Sequence, residues 1–310
     1  MIADNEIAAG KGLSQRERRK SIGRALITVL MFDLLLAFAK GGYGLVTGSL
    51  AMLSDGLHST IHAGGSMVGL VGVYLASRPA DASHPYGYER YEPLAAMGIA
   101  ALMMAAVWEI VNDAWIRFRS PRLPTVTGFS FTIIIAAILL TIVVSVWENR
   151  RAQALSSTVL QADAARVCSD TLVSGAVLIG LLSARFGLPF IDPAISVVVA
   201  AVIAWTSWTL IRGASYVLAD GAAGNLEEIA SAACSVTGVR GCHDVRARGV
   251  GGMVRIDLHI TVDPQMTVAQ SHELAEQVER EIRAGVGGVI EVLVHVGAVT
   301  GHQSSLGHPA

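Results

Sequence analysis

The stretch ALITVLMFDLLLAFAKGGYGLV, residues 25–46, decides the fold class. It is apolar apart from Asp33 and Lys40 and long enough to cross about 30 Å of hydrocarbon as a helix. Five further apolar stretches follow at 49–76, 93–116, 126–147, 153–186 and 191–211, and the fourth of these is too long for one span, so its start projects beyond the bilayer. Of 310 residues, 52% are hydrophobic and 15% charged, a composition that excludes an ordinary soluble domain. The net charge of −2 argues neither for nor against nucleic acid, but no clustered basic stripe with aromatics is present, and no nucleic-acid partner is expected. Cys168, Cys234 and Cys242 form no CxxC and offer neither a disulfide framework nor a thiolate zinc site. The polar start has no cleavable-signal pattern and leads straight into membrane.

Basic residues set the orientation. Lys11, Arg16, Arg18, Arg19, Lys20 and Arg24 precede the first span, and Arg78, Arg90, Arg150 and Arg151 fall on the same side. Arg117, Arg119, Arg122 and Arg185 fall on the other. The expectation is a multi-pass protein of the plasma (inner) membrane with both termini in the cytoplasm. Residues 1–20 are expected as a flexible cytoplasmic arm, 21–212 as a six-helix transmembrane domain, 213–299 as a cytoplasmic domain and 300–310 as a disordered tail.

The pattern changes after Arg212. MVRIDLHITVD (253–263) alternates as a half-buried strand does. Thr267 with Gln270 three residues later is a capping box that opens a helix, and Gly285 is its stop. A helix near 225–236, a strand near 243–248 and the strand in GGVIEVLVHVGAV complete an α-β-β-α-β order, a small α+β domain.

Two membrane stretches carry ionisable residues at matched offsets. SDGLHSTIHAG (54–64) places Asp55, His58 and His62 on one helix face, and QADAARVCSDTLVSG (161–175) does the same with Asp163, Arg166 and Asp170. Ionisable groups at membrane depth are costly and face partners or a water path. Two such stripes meeting in a bundle suit a divalent ion, since imidazole and carboxylate bind zinc, iron, manganese, cobalt or nickel. Hydrogen bonding between helices is the plainer alternative. Asp, His and Ser are present, but no nucleophile elbow or HExxH points to a hydrolase. Glu109 and Asp113, near the far end of span three, are expected on a solvated rim.

The chain resembles the cation diffusion facilitator family of divalent-metal/proton antiporters. The resemblance rests on GSLAMLSDGLHS, HPYGYERYEPLAA, LQADAARVCSD, IDPAISVVVA and GCHDVRARGVGGMVRIDLHITVD, and covers roughly residues 20–298. It implies six transmembrane helices, a metallochaperone-like cytoplasmic domain, a homodimer (or a heterodimer with a related subunit), protons as counter-substrate and export of a divalent metal, zinc foremost. It implies a transport site of two residues from span two and two from span five, which fall on His58, His62, Arg166 and Asp170. Histidine here replaces a carboxylate at 62, and arginine replaces a histidine at 166. It implies a second, interfacial metal site at Asp81 and His84, with Tyr88 where a histidine is common. It also implies a cytoplasmic regulatory metal site at His243, His259, His272 and His295, with Gly297 where a carboxylate is common.

Arginine stays protonated and cannot ligate a metal. At about 5 Å and an effective dielectric of about 20, its charge repels a divalent ion by roughly 7 kcal/mol. Either Asp163 or Asp33 neutralises it, leaving Asp170 to join His58 and His62, or Asp170 neutralises it and leaves two histidines. The chain is then a proton-coupled exporter, or a non-transporting, regulatory relative whose membrane site Arg166 has altered.

Overall fold

The computed structural model describes residues 15–47, 50–119, 128–185 and 190–298. Two units divide the chain after Leu218.

The first unit is helical: α1 (Gln15–Thr47), α2 (Leu50–Ala76), α3 (Tyr91–Arg119), α4 (Gly128–Ala154), α5 (Thr158–Arg185) and α6 (Ile191–Leu218). Among the described residues, three segments are long and apolar enough to cross a membrane: 16–39 within α1, and all of α3 and α6. The element edges follow local chemistry. Pro93 and Pro193 sit in the first turns of α3 and α6, where a missing N–H costs no helical bond. Ser157 starts α5 by accepting from the Leu160 amide at 3.3 Å.

Helix α1 begins inside the segment expected as a polar arm, and α6 runs past the expected boundary at 212 to Leu218. The early start has a physical cause. Arg18 donates to the Leu155 carbonyl at 2.7 Å and the Ser156 carbonyl at 3.0 Å, and pairs with Glu92 at 3.2 Å. Ser157 Oγ donates to Glu92 at 2.7 Å, and Arg19 pairs with Glu89 at 3.4 Å. These bonds order one polar end of the bundle and tie α1, α3 and the α4–α5 turn together.

The buried core of this unit joins Ile22, Leu26, Ile99, Val159, Leu160 and Ile203, drawn from α1, α3, α5 and α6. Small residues on α2 let its neighbours approach. A Cβ on Gly69 would meet Val159 and Leu26 at 3.1–3.4 Å, and one on Gly72 would collide with Ala95 of α3.

The second unit is a three-stranded sheet with two helices: α7 (Leu226–Cys234), β1 (Gly241–Val250), β2 (Met253–Val262), α8 (Val268–Gly285) and β3 (Val289–Ala298). β1 and β2 are antiparallel through a Gly251–Gly252 hairpin with both residues at positive φ, the conformation glycine permits. β3 lies parallel to β2 on its other side. The Thr267–Gln270 capping box is present as the sequence predicts, and α8 ends at Gly285. Ile256, Leu258 and Ile260 of β2 pack with Leu274, Val278 and Ile282 of α8 and Ile229 of α7. The alternate residues of β2, His259 among them, lie on the opposite face.

Candidate functional site

Arg166 is the centre of the membrane unit's polar cluster. Its side chain is 5% exposed, and each guanidinium nitrogen has its own carboxylate. Nε donates to Asp163 at 2.8 Å, Nη1 to Asp170 at 3.1 Å, and Nη2 to Asp33 of α1 at 2.8 Å. Ser66 of α2 completes the ring, donating to Asp163 at 2.8 Å and accepting from Arg166 Nη2 at 3.1 Å. Charge-assisted bonds of this kind are the strong ones, and a guanidinium's fixed fork suits several carboxylates at once.

Gly65 makes the cluster sterically feasible. A Cβ there would lie 2.5 Å from Arg166 Cδ and 2.7 Å from Nε, so the arginine stem lies over bare backbone of α2. The three carboxylates are not equivalent. Asp163 is wholly buried and the Asp33 side chain is 12% exposed, but that of Asp170 is 31% exposed and makes the longest bond. The two alternatives the sequence left open, Arg166 held by Asp163 or Asp33 or else by Asp170, therefore coexist.

His58 and His62 belong to α2, one helical turn apart. Their side chains, and that of Asp55, lie outside the described residues. Glu148 of α4 was not singled out by sequence reading. Its side chain is fully buried beside this cluster, with Asp163, Arg166 and Asp33 as its charged neighbours. Glu109 and Asp113 are exposed.

The turn between α2 and α3 is tied on itself. One oxygen of Asp81 accepts from the Ser83 and His84 amides at 2.9 and 2.8 Å, and the other from the Tyr88 hydroxyl at 2.7 Å. The His84 ring lies 4.2 Å from that of Tyr88, and its Nδ1 is 4.0 Å from Asp81. The Tyr88 hydrogen bond, then the His84 amide, holds the Asp81 carboxyl below its ordinary value, and the same bond raises the Tyr88 phenol.

In the second unit, strand register brings three of the four histidines into a row. His243 pairs with His259 across β1–β2, and His259 with His295 across β2–β3, with ring centroids 5.4 and 4.6 Å apart. A break in the β1 register after His243 puts Asp244 at positive φ and turns its carboxylate to the row. Ligand atoms of His243, Asp244 and His259 lie within 4.8 Å of one another, a set suited to a borderline divalent ion. His272 is on α8, 75% exposed, and pairs with Glu276 at 3.5 Å. Burial, with Cys234 nearby, pushes the Cys242 thiol up to about 11, so no thiolate is at hand there.

Residues 26–219 match the cation efflux transmembrane domain, and 223–298 match the cytoplasmic domain of cation efflux proteins. The chain belongs to the cation efflux family. It is an integral membrane protein of a metal-transporter family with a dimerisation-type C-terminal domain. It is 30% identical over 273 residues to the uncharacterized transporter YdbO of Bacillus subtilis, covering 88% of this chain and 93% of that one. It is 27% identical to the manganese efflux system protein MneS of the same organism, over 86% of this chain and 92% of that one. It is 29% identical to a cadmium, cobalt and zinc/H(+)-K(+) antiporter of Bacillus velezensis, over 86% of this chain and 85% of that one.

Proposed function

We propose that this cation efflux protein exports a divalent transition metal ion from the cytoplasm in exchange for protons, by alternating access in a six-span homodimer with both termini cytoplasmic. The observation that carries the reading is the unequal holding of Arg166. Asp163 and Asp33 fix the guanidinium deep in the bundle, while the longer-bonded, more exposed Asp170 is shared. An ion entering between α2 and α5 takes Asp170 together with neutral His58 and His62, with water in the fourth place. Arg166 keeps its two deeper partners. When the ion leaves, Arg166 closes back on Asp170 as a tethered cation, and the histidines take protons near working pH.

Zinc is the foremost cargo because two imidazoles and one carboxylate suit it. Iron, manganese, cobalt and nickel remain within the donor set's range; manganese is named for MneS, and cobalt and zinc for the antiporter. His243, His259 and Asp244 bind a regulatory ion that tightens the dimer and biases the conformational equilibrium, with His295 as a further ligand, while His272, on α8 across the sheet, stays outside this set. Asp81 and His84 take an interfacial ion only by giving up the Tyr88 bond.

A second reading rests on the same arginine. With all three carboxylates bonded to Arg166, the membrane site holds itself together without any ion, as a regulatory subunit's would. Flux into proteoliposomes across zinc, iron, manganese, cobalt and nickel separates the two, wild type beside His62→Ala. Export predicts a preferred ion and its loss in the variant; a wild type that moves none of the five selects the regulatory reading.

A further inference from the structure

Glu148 presents a problem of charge. Among the described residues, both its carboxyl oxygens are buried and no donor reaches either. It projects from α4, which packs against α5 and α1. Among the described residues, the charged groups facing it are Asp163 and Arg166 from α5 and Asp33 from α1. Among the described residues Asp163 is the carboxylate beside it, an acceptor already bonded to Ser66 and Arg166. Arg166 spends its three nitrogens on the other carboxylates and Ser66. Two carboxylates set face to face out of water repel each other and lose hydration, and a single proton between them relieves both.

We infer that Glu148 and Asp163 share one exchangeable proton, and that Glu148 is a proton carrier of the ion exchange. The inference rests on the transport reading above and adds a residue to it. With Glu148 neutral, Asp33, Asp163 and Asp170 face one arginine, which leaves two negative charges uncancelled. Binding a divalent ion at Asp170 changes the local charge by two units. Losing the Glu148 proton at the same moment cuts that change to one, so ion binding and proton loss favour each other. The O–H bond of Glu148 breaks, its electron pair stays on the carboxylate, and the proton passes to water on the side from which the ion entered. After the ion leaves on the far side, water there returns a proton to Glu148. The carrier therefore lies off the ligand set, on a different helix, and need never touch the metal.

The test uses the purified full-length protein in detergent with weak buffer and a pH-indicating dye, titrated with zinc and with manganese. The expected result is that Glu148→Gln still binds the ion but releases fewer protons, by about one per ion. An unchanged proton count overturns the inference and leaves the transport reading intact. Infrared spectra of metal-free protein at neutral pH read the same group without needing transport. A protonated-carboxyl carbonyl band is expected in wild type, shifted in Glu148→Asp and lost in Glu148→Gln. Absence of that band from wild type overturns the shared proton. A wild type that neither binds nor moves either ion overturns the transport reading, while the infrared band still decides the proton.

Discussion

The aspartates around Arg166 in the membrane unit and the histidine row in the soluble unit both gather residue types that can hold a cation, under opposite constraints. Arg166 is buried, so its charge has to be cancelled inside the protein, and three aspartates do so from two helices. His243 and His295 are exposed and His259 is partly so, and no arginine joins their row. Side chains open to water have their polar groups solvated there and need no partner inside the fold. The lesson is that a polar cluster buried in a helical bundle is a charge-balance problem first and a coordination problem second. In the soluble sheet the order is reversed.

That contrast predicts unequal costs. Arg166→Ala strands three carboxylates in the bundle and is expected to destabilise the membrane unit by about 3–5 kcal/mol, seen as loss of folded protein in thermal unfolding in detergent. A variant as stable as wild type would mean the aspartates are not relying on the arginine. Gly65→Ala drives a methyl into the arginine stem and is expected to cost about 1–3 kcal/mol while lowering metal flux. Unchanged flux would detach the seat of Arg166 from transport.

The soluble row should behave the other way. His243→Ala with His259→Ala is expected to remove a cytoplasmic bound ion, read by calorimetric titration, while leaving unfolding within about 0.5 kcal/mol of wild type. A large loss of stability would show that the row is structural. Tyr88→Phe is the smallest change. It removes the bond that lowers the Asp81 pKa, so that value rises toward 3.8. The stabilisation from a lowered carboxyl pKa is present above the ordinary value and lost as pH falls through the folded one. The variant therefore has less of it at neutral pH and less to lose on acidification, which shows as a shallower acid limb of the stability–pH profile, and an unchanged limb would mean that the bond does not act on Asp81.

The sequence carried most of the fold because its signals are periodic and local. The run at 25–46, the Thr267–Gln270 box and the alternation in 253–263 each announce an element within a few residues. The row His243–His259–His295 needed strand register, which the spacing of single residues does not contain. The arginine cluster was half legible. The offsets Asp163–Arg166–Asp170 are local to one helix, and Asp33 was a candidate partner across 133 residues, but that all three carboxylates hold Arg166 at once needed the packing. Gly65 and Ser66 look like generic small membrane residues until Arg166 is seen lying against them. Glu148 reads in sequence as a charge at the end of an apolar run, next to Arg150 and Arg151, and only packing reveals that it points inward.

The shared role of Asp170 is the centre of the account, and zinc and manganese flux into proteoliposomes by Asp170→Asn tests it most directly. Arg166 keeps Asp163 and Asp33 in this variant, so the protein is expected to fold and to dock its arginine. Flux is expected to fall by at least about a hundredfold, since the one carboxylate of the ligand set is gone. Wild-type flux from a folded Asp170→Asn protein would contradict the account and place the ion's path elsewhere in the bundle.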